Sequence, residues 1–216
     1  MPTTIAPRNA PTRLTGPILT GVLLGGWAVA AAVGTGPGPA RTSAAGGPGL
    51  GAEAELIPVA FDPDMRPLAW RRPGRPLEDK DLEGMGLDSR VRSLDLSLSQ
   101  ITDNGLAALR RATGLRTLSL FGTRVGDAEL ARLAGLTDLR ALYLEGTPVG
   151  DAGLAHLAGL KHLETLTLSG TRVTDAGLAH LKGLTGLRDL DLSWTAATEA
   201  GVEDLRRALP GARIGH

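Results

Sequence analysis

The side chains that could do chemistry in this sequence fall at a fixed interval. Asp103, Asp127, Asp151 and Asp175 stand 24 residues apart, and so do His156 and His180. Evenly spaced carboxylates suggest a ligand ladder, and paired imidazoles suggest half a metal site. A transition-metal site needs three or four ligands of matched geometry, and neither a carboxylate nor a third imidazole recurs with the two histidines. The equivalent position elsewhere holds Ala108, Arg132 and Asp204, the mixture of a solvated surface row. Each aspartate follows Thr or Gly and precedes an apolar helical stripe, as in Thr174-Asp175-Ala176-Gly177-Leu178. Capping and the N-terminal helix dipole therefore account for the carboxylates. No G-x-x-x-x-G-K-[ST], H-E-x-x-H or G-x-S-x-G pattern occurs, and the absence of cysteine removes thiolate ligands, cysteine nucleophiles and disulfides. No catalytic residue, metal ligand or cofactor site is expected.

What must position these side chains is a repeat. From Val91 the chain repeats every 24 residues, with units beginning at Val91, Leu115, Leu139, Leu163 and Leu187. Positions 1, 4, 6, 11, 16, 19 and 22 are apolar in all five units, thirty-five places in all. At 42% hydrophobic content, chance would fill about fifteen of them. Positions 4 and 6 alternate as in a short strand with one buried face. Gly170-Thr171 then turns the chain in the fourth unit, Thr174-Asp175 caps a helix, and Leu178 and Leu181 form its inward stripe. One unit cannot cover its own leucines, so only stacking buries both faces. At about 1.5–3 kcal/mol per buried aliphatic side chain, the seven in each unit stabilise the array collectively. The predicted fold class is α/β, a solenoid with short parallel strands on the concave face and short helices on the convex face.

The pattern L-x-x-L-x-L-x-x-T-x-V-[TG]-D-x-G-L-x-x-L resembles a leucine-rich repeat of the ribonuclease-inhibitor-like and F-box-adaptor-like branch. Its T-D-A-G-L form is similar to that of many bacterial exported proteins. The resemblance covers residues 91–214 and implies a binding function without naming a ligand. Position 9 is a hydroxyl residue (Ser99, Thr123, Thr147, Thr171, Thr195) where many relatives carry Asn or Cys, so any polar ladder here is built from hydroxyls.

The register extends beyond the five units at 91–210. Residues 211–216 place Ile214 at position 4 of a sixth unit, as a C-terminal cap. Counting back from Val91 puts Trp70 at position 4, Leu77 at 11, Asp79 at 13, Leu82 at 16 and Met85 at 19, so residues 67–90 are expected to be a degenerate N-terminal capping repeat. Pro67, Pro73 and Pro76 suit a sheet edge. Residues 34–66 read as a Gly/Pro-rich linker, mostly disordered. Residues 1–33 carry Arg8 and Arg13 ahead of the uncharged run Ile18–Val33, the ingredients of a signal peptide or a signal anchor. This predicts export to the cell envelope or secretion, with residues 17–35 as the anchor if the segment is retained.

Positions 3, 5, 7 and 8 point away from the core on this register, free of packing demands. Of the six aromatic residues in the chain, Phe121, Tyr143 and Trp194 fall there, flanked by Asp95, Glu145, Asp189 and Asp191. Exposed aromatics among carboxylates suit a hot-spot patch for a basic or amphipathic protein or peptide. The candidate protein-binding residues are Tyr143, Phe121, Trp194, Glu145, Asp191 and Asp95. Lys+Arg and Asp+Glu are equal at 23 each, and the basic row Arg92, Arg116, Arg140, Arg188 lies on a neutral chain, so nucleic acid is not an expected partner. Contact with a membrane is expected only through the N-terminal segment, and the chain is expected to be a monomer. The alternatives to an exported binding module are an intracellular adaptor resembling F-box-linked repeat proteins and, behind it, an enzyme. The first lacks an F-box-like helical segment and leaves Ile18–Val33 unexplained; the second lacks clustered titratable groups.

Overall fold

A computed structural model describes residues 57–62, 67–71 and 74–216. The N-terminal signal or anchor and most of the linker lie outside the described residues. Within each unit the strand, turn, cap and helix fall where the apolar period places them. The strands are β3 (Ser93–Asp95), β4 (Thr117–Ser119), β5 (Ala141–Tyr143), β6 (Thr165–Thr167), β7 (Asp189–Asp191) and β8 (Arg213–Gly215). They pair in parallel, and position 4 aligns without slippage from Leu94 through Leu118, Leu142, Leu166 and Leu190 to Ile214. The helices between them are α2 (Asp103–Ala107), α3 (Asp127–Leu130), α4 (Asp151–Leu157), α5 (Asp175–Leu181) and α6 (Glu199–Ala208). Short 3-10 turns extend α2 and α3. Of the thirty-five apolar positions every one but Ala208 is buried, and there Leu209 takes the inward place at 3% exposure because α6 is longer than its counterparts.

The caps are the expected residues, Thr102, Gly126, Gly150, Thr174 and Thr198. The aspartates that follow them do a different job from the one expected. Each reaches into the next unit instead of capping its own helix. Asp151 accepts the Thr174 amide at 2.7 Å and its hydroxyl at 2.7 Å, and Asp175 does the same for Thr198. Asp127 accepts the Gly150 amide at 2.6 Å. These two bonds from Thr198 hold the Asp175 carboxyl below the usual carboxylate range. The glycine at position 15 makes room for this staple. A Cβ on Gly153 would lie 2.6 Å from Asp127 Oδ1 and 3.1 Å from its Cα, and Gly105, Gly177 and Gly201 are crowded by the aspartate of the preceding unit in the same way.

The unit beginning at Leu115 breaks this pattern in a coupled way. It carries Glu129 where the others carry glycine, and Glu129 Oε2 accepts the Gly126 amide at 2.9 Å. Displaced from that amide, Asp103 pairs with the Arg132 guanidinium at 2.6 and 2.5 Å. Both the carboxylate and the cap amide stay satisfied, through different partners.

The hydroxyls of position 9 are not an inter-unit ladder either. Thr123, Thr147, Thr171 and Thr195 each donate to the carbonyl three residues earlier, at 2.6–2.7 Å, closing their own turns. The Ser99 hydroxyl is buried and has no partner among the described residues.

The N-terminal end departs from the counted register. A hairpin of β1 (Ile57–Phe61) and β2 (Pro67–Arg71) leads the sheet, which runs β2-β1-β3-β4-β5-β6-β7-β8. β1 is antiparallel to both β2 and β3, so the strand carrying Trp70 does not adjoin β3 as a repeat strand would. Residues 57–61, expected as linker, are instead a strand, with Val59 and Ala60 buried. Proline-led β2 sits at the sheet edge, where proline is tolerated. The later half of the counted unit is in register. Leu77 and Leu82 are buried, Met85 packs on the core, and α1 (Asp79–Gly84) presents Asp79 to the Thr102 amide at 2.8 Å as the other staples do.

Candidate functional site

The strand face carries Asp95, Tyr143 and Asp191 on one row and Phe121 and Glu145 on the next. In the β-ladder Asp95, Ser119, Tyr143, Thr167 and Asp191 lie side by side, about 4.8 Å apart per strand step. Tyr143 stands at the centre of that row, half-buried. Burial pushes its phenol above its ordinary pKa, and the negative charge of Glu145 adds to the shift, so the hydroxyl stays protonated at neutral pH. Glu145 and Phe121, one row over, are also half-buried. Glu145 Oε2 and Thr167 Oγ1 are buried without a hydrogen-bond partner among the described residues. Unmet polar atoms beside the central aromatic are a cost carried by the fold.

The carboxylates expected to work together differ in what they already hold. Asp95 Oδ1 accepts the Ser97 amide at 2.9 Å and hydroxyl at 2.5 Å, and that hydroxyl meets the Ser119 hydroxyl at 2.7 Å. Ser93, Ser97 and Ser119 are buried, so the early units of this face are not free of packing demands as the register implied. Asp191 Oδ1 accepts the Ser193 amide at 2.9 Å and no other hydrogen bond among the described residues. Asp189 is paired with Arg213 at 2.6 Å. Those two residues, with Thr165, Thr167 and Asp191, line a shallow depression of about 240 Å³. The basic row at position 2 does not reach these groups; Arg140 binds Glu164 at 2.8 Å, and Arg188 approaches the same carboxylate.

Position 8, the turn after each strand, was the signal that sequence reasoning left unused. Gly122, Gly146 and Gly170 have φ of 63°, 66° and 68°, the left-handed region, and Leu98 and Trp194 hold the same conformation at 56° and 59°. Glycine three times in five at one position was the available clue. Trp194 is 89% exposed and Leu98 60%. Trp194 therefore lies on the turn beside the sheet, apart from Tyr143, and does not fold over its neighbours as local packing.

On the helix face, His156 and His180 are exposed on α4 and α5. No three His, Asp or Glu side chains converge as a metal site among the described residues. No described helix is long and apolar enough to cross a membrane.

A family model described as Leucine Rich repeat matches residues 91–109 and 159–181 of this chain. No curated protein sequence matches it. Among solved structures, an internalin from Listeria monocytogenes is 26% identical over 56% of this chain and 32% of its own, with a TM-score of 0.47. An internalin C2 from the same species is 20% identical over 74% and 88%, with a TM-score of 0.45. A leucine-rich repeat protein of Leptospira interrogans is 19% identical over 51% and 33%, with a TM-score of 0.38. The chain thus spans about a third of the length of the first and third of these.

Proposed function

We propose that this chain is a non-enzymatic protein-interaction module, exported to the cell envelope or secreted, that binds a basic or amphipathic protein or peptide on its concave strand face. The observation that carries the reading is Tyr143, half-exposed at the centre of the parallel ladder beside a Glu145 carboxylate with an unmet oxygen. Phe121 and Trp194 supply apolar contact, and Glu145, Asp191 and Asp95 supply negative charge. The T-D-A-G-L form of the repeat supports placing the units in the ribonuclease-inhibitor-like branch. The protein binds its partner as a monomer.

The test is a capture experiment with identification of the retained proteins. Tyr143→Ala should lower partner recovery at least tenfold, as loss of a central aromatic anchor does, and leave thermal stability within about 2 °C of wild type. A large fall in stability would show Tyr143 to be part of the core, and unchanged capture would remove it from the site. Export has its own test in intact mass from fractionated cells of the native host. A species lacking about 30 N-terminal residues in the extracytoplasmic fraction is expected. An uncleaved species in membranes would mean tethering, and an uncleaved species in the cytosol would defeat the export reading.

A further inference from the structure

Two independent measures single out the same pair of residues. Leu98 and Trp194 are the only non-glycine residues in left-handed backbone among those described, and they are also the only exposed large hydrophobic residues. A side chain with a Cβ destabilises the folded chain in that conformation. The three equivalent turns relieve the strain with Gly122, Gly146 and Gly170. At Trp194 nothing within the fold compensates, because the indole is almost wholly in solvent. Strain and apolar exposure at one residue point to a contact outside the fold.

The turns form a row with a defined floor. Leu98 leans over Gly122, its Cδ2 lying 2.6 Å from where a Cβ on that glycine would stand. Gly146 and Gly170 are open, since a Cβ on either would meet only the neighbouring glycine backbone, at 3.8–3.9 Å. Their amides are used, by the Ser169 and Ser193 carbonyls at 2.9 Å, but their own carbonyls accept no hydrogen bond from the described residues. Four strand steps separate the two apolar ends, about 19 Å, which five or six residues of extended chain would span. Glu145 directly precedes Gly146, and Asp191 lies three residues before Trp194. Neither has an ion-pair partner among the described residues. Arg124 and Arg172, both exposed, follow the turn glycines Gly122 and Gly170 by two residues.

We infer that Trp194 and Leu98 bracket the docking site for an extended, Lys- or Arg-bearing segment of a partner protein, laid across the Gly146–Gly170 turns. Free carbonyls and carboxylates present acceptors only, which suits a cationic donor, and an exposed indole is the best aromatic partner for a cation. The partner's cations face Glu145 and Asp191, and its neutral or acidic groups face Arg124 and Arg172. This deepens the proposed binding function, on which it rests, by moving the anchor from mid-sheet to the turn row.

The test uses the whole chain with Trp27→Phe and Trp70→Phe, so that Trp194 is the sole indole. A hexapeptide alternating arginine and leucine should give a saturable change in Trp194 emission that weakens with salt. The same peptide with glutamine or glutamate for arginine should bind at least tenfold more weakly, and Glu145→Gln with Asp191→Asn should weaken the arginine peptide equally. Equal binding of the glutamine peptide, no saturation by the arginine peptide, or a response to a neutral oligosaccharide instead would overturn the inference. In an otherwise unaltered chain, Trp194→Gly should leave Tm unchanged or raise it by up to about 3 °C, while calorimetric affinity for the arginine peptide falls at least tenfold. A Tm drop beyond that range would show the indole to be packed and would also overturn it. If Trp194→Gly keeps peptide affinity while Tyr143→Ala abolishes partner capture, the turn-row placement fails and the strand-face function stands. If neither substitution matters, both fail.

Discussion

Leu166→Ala is expected to destabilise the protein by about 2–5 kcal/mol, with chemical denaturation as the readout. Leu166 is fully buried at the middle of the ladder and lies in register with Leu142 on one side and Leu190 on the other. In a stacked array each unit is held by its neighbours, so a void here weakens two interfaces at once. Neighbouring leucines cannot close it without breaking the parallel register that the backbone bonds fix, and so the cavity contributes to the loss beyond simple transfer. Ile214 occupies the same position at the end of the row, is only partly buried and has one neighbour, Leu190. Ile214→Ala should therefore lose clearly less. Equal losses at the two sites would mean that the array melts by its end unit first, and a near-neutral Leu166→Ala would mean that position 4 does not face the core.

How far the fold was legible follows from which forces repeat. Burial recurs at the same seven positions in each unit, and an aliphatic side chain at each is enough to specify strand, turn and helix, which is why the apolar register matches the core with only Ala208 displaced. The hairpin at 57–71 obeys no such period. Its pairing is antiparallel, so counting back by 24 from Val91 carried Trp70 to a place in the ladder that β1 occupies. The burial of Ser97 and Ser119 was also hidden, because small hydroxyl residues look solvent-facing in a sequence until the Ser97 hydroxyl is seen to link Asp95 and Ser119. Two signals were present and misjudged. Glycine inside a helix costs about 1 kcal/mol relative to alanine, so four glycines at position 15 announced a close approach, here the aspartate of the preceding unit. Glycine at position 8 announced left-handed turns, and Trp194 was the departure worth pursuing. Asp95, Tyr143 and Asp191 fall on the strand row where the register puts them and Trp194 on the turn beside it, but which of the candidate residues retain unmet hydrogen-bonding capacity depended on contacts between units 24 residues apart.

Gly177→Ala should destabilise by about 2–3 kcal/mol, far more than a glycine-to-alanine change in a helix would suggest, since propensity alone favours alanine. The added methyl would lie 3.1 Å from Asp151 Cα and 3.1 Å from its carboxyl carbon, and closer still to Oδ1. The carboxylate has nowhere to go without giving up the Thr174 amide and hydroxyl that it accepts at 2.7 Å. Losing those charge-assisted bonds leaves a half-buried amide unpaired, and that unpaired amide, beyond the steric clash itself, sets the size of the effect. The unit at 115 shows how the fold escapes this penalty, with Glu129 capping the Gly126 amide and Arg132 collecting Asp103. Gly177→Glu combined with His180→Arg transplants that arrangement, because residue 180 occupies the place of Arg132 in its unit. The double variant should recover more than half of the loss seen for Gly177→Ala in denaturant melts. If it is as unstable as the alanine variant, the glycine is required for space alone and the aspartate staple contributes little. If Gly177→Ala is itself neutral, the carboxylate is free to move and the units are joined by their leucines and strand bonds alone.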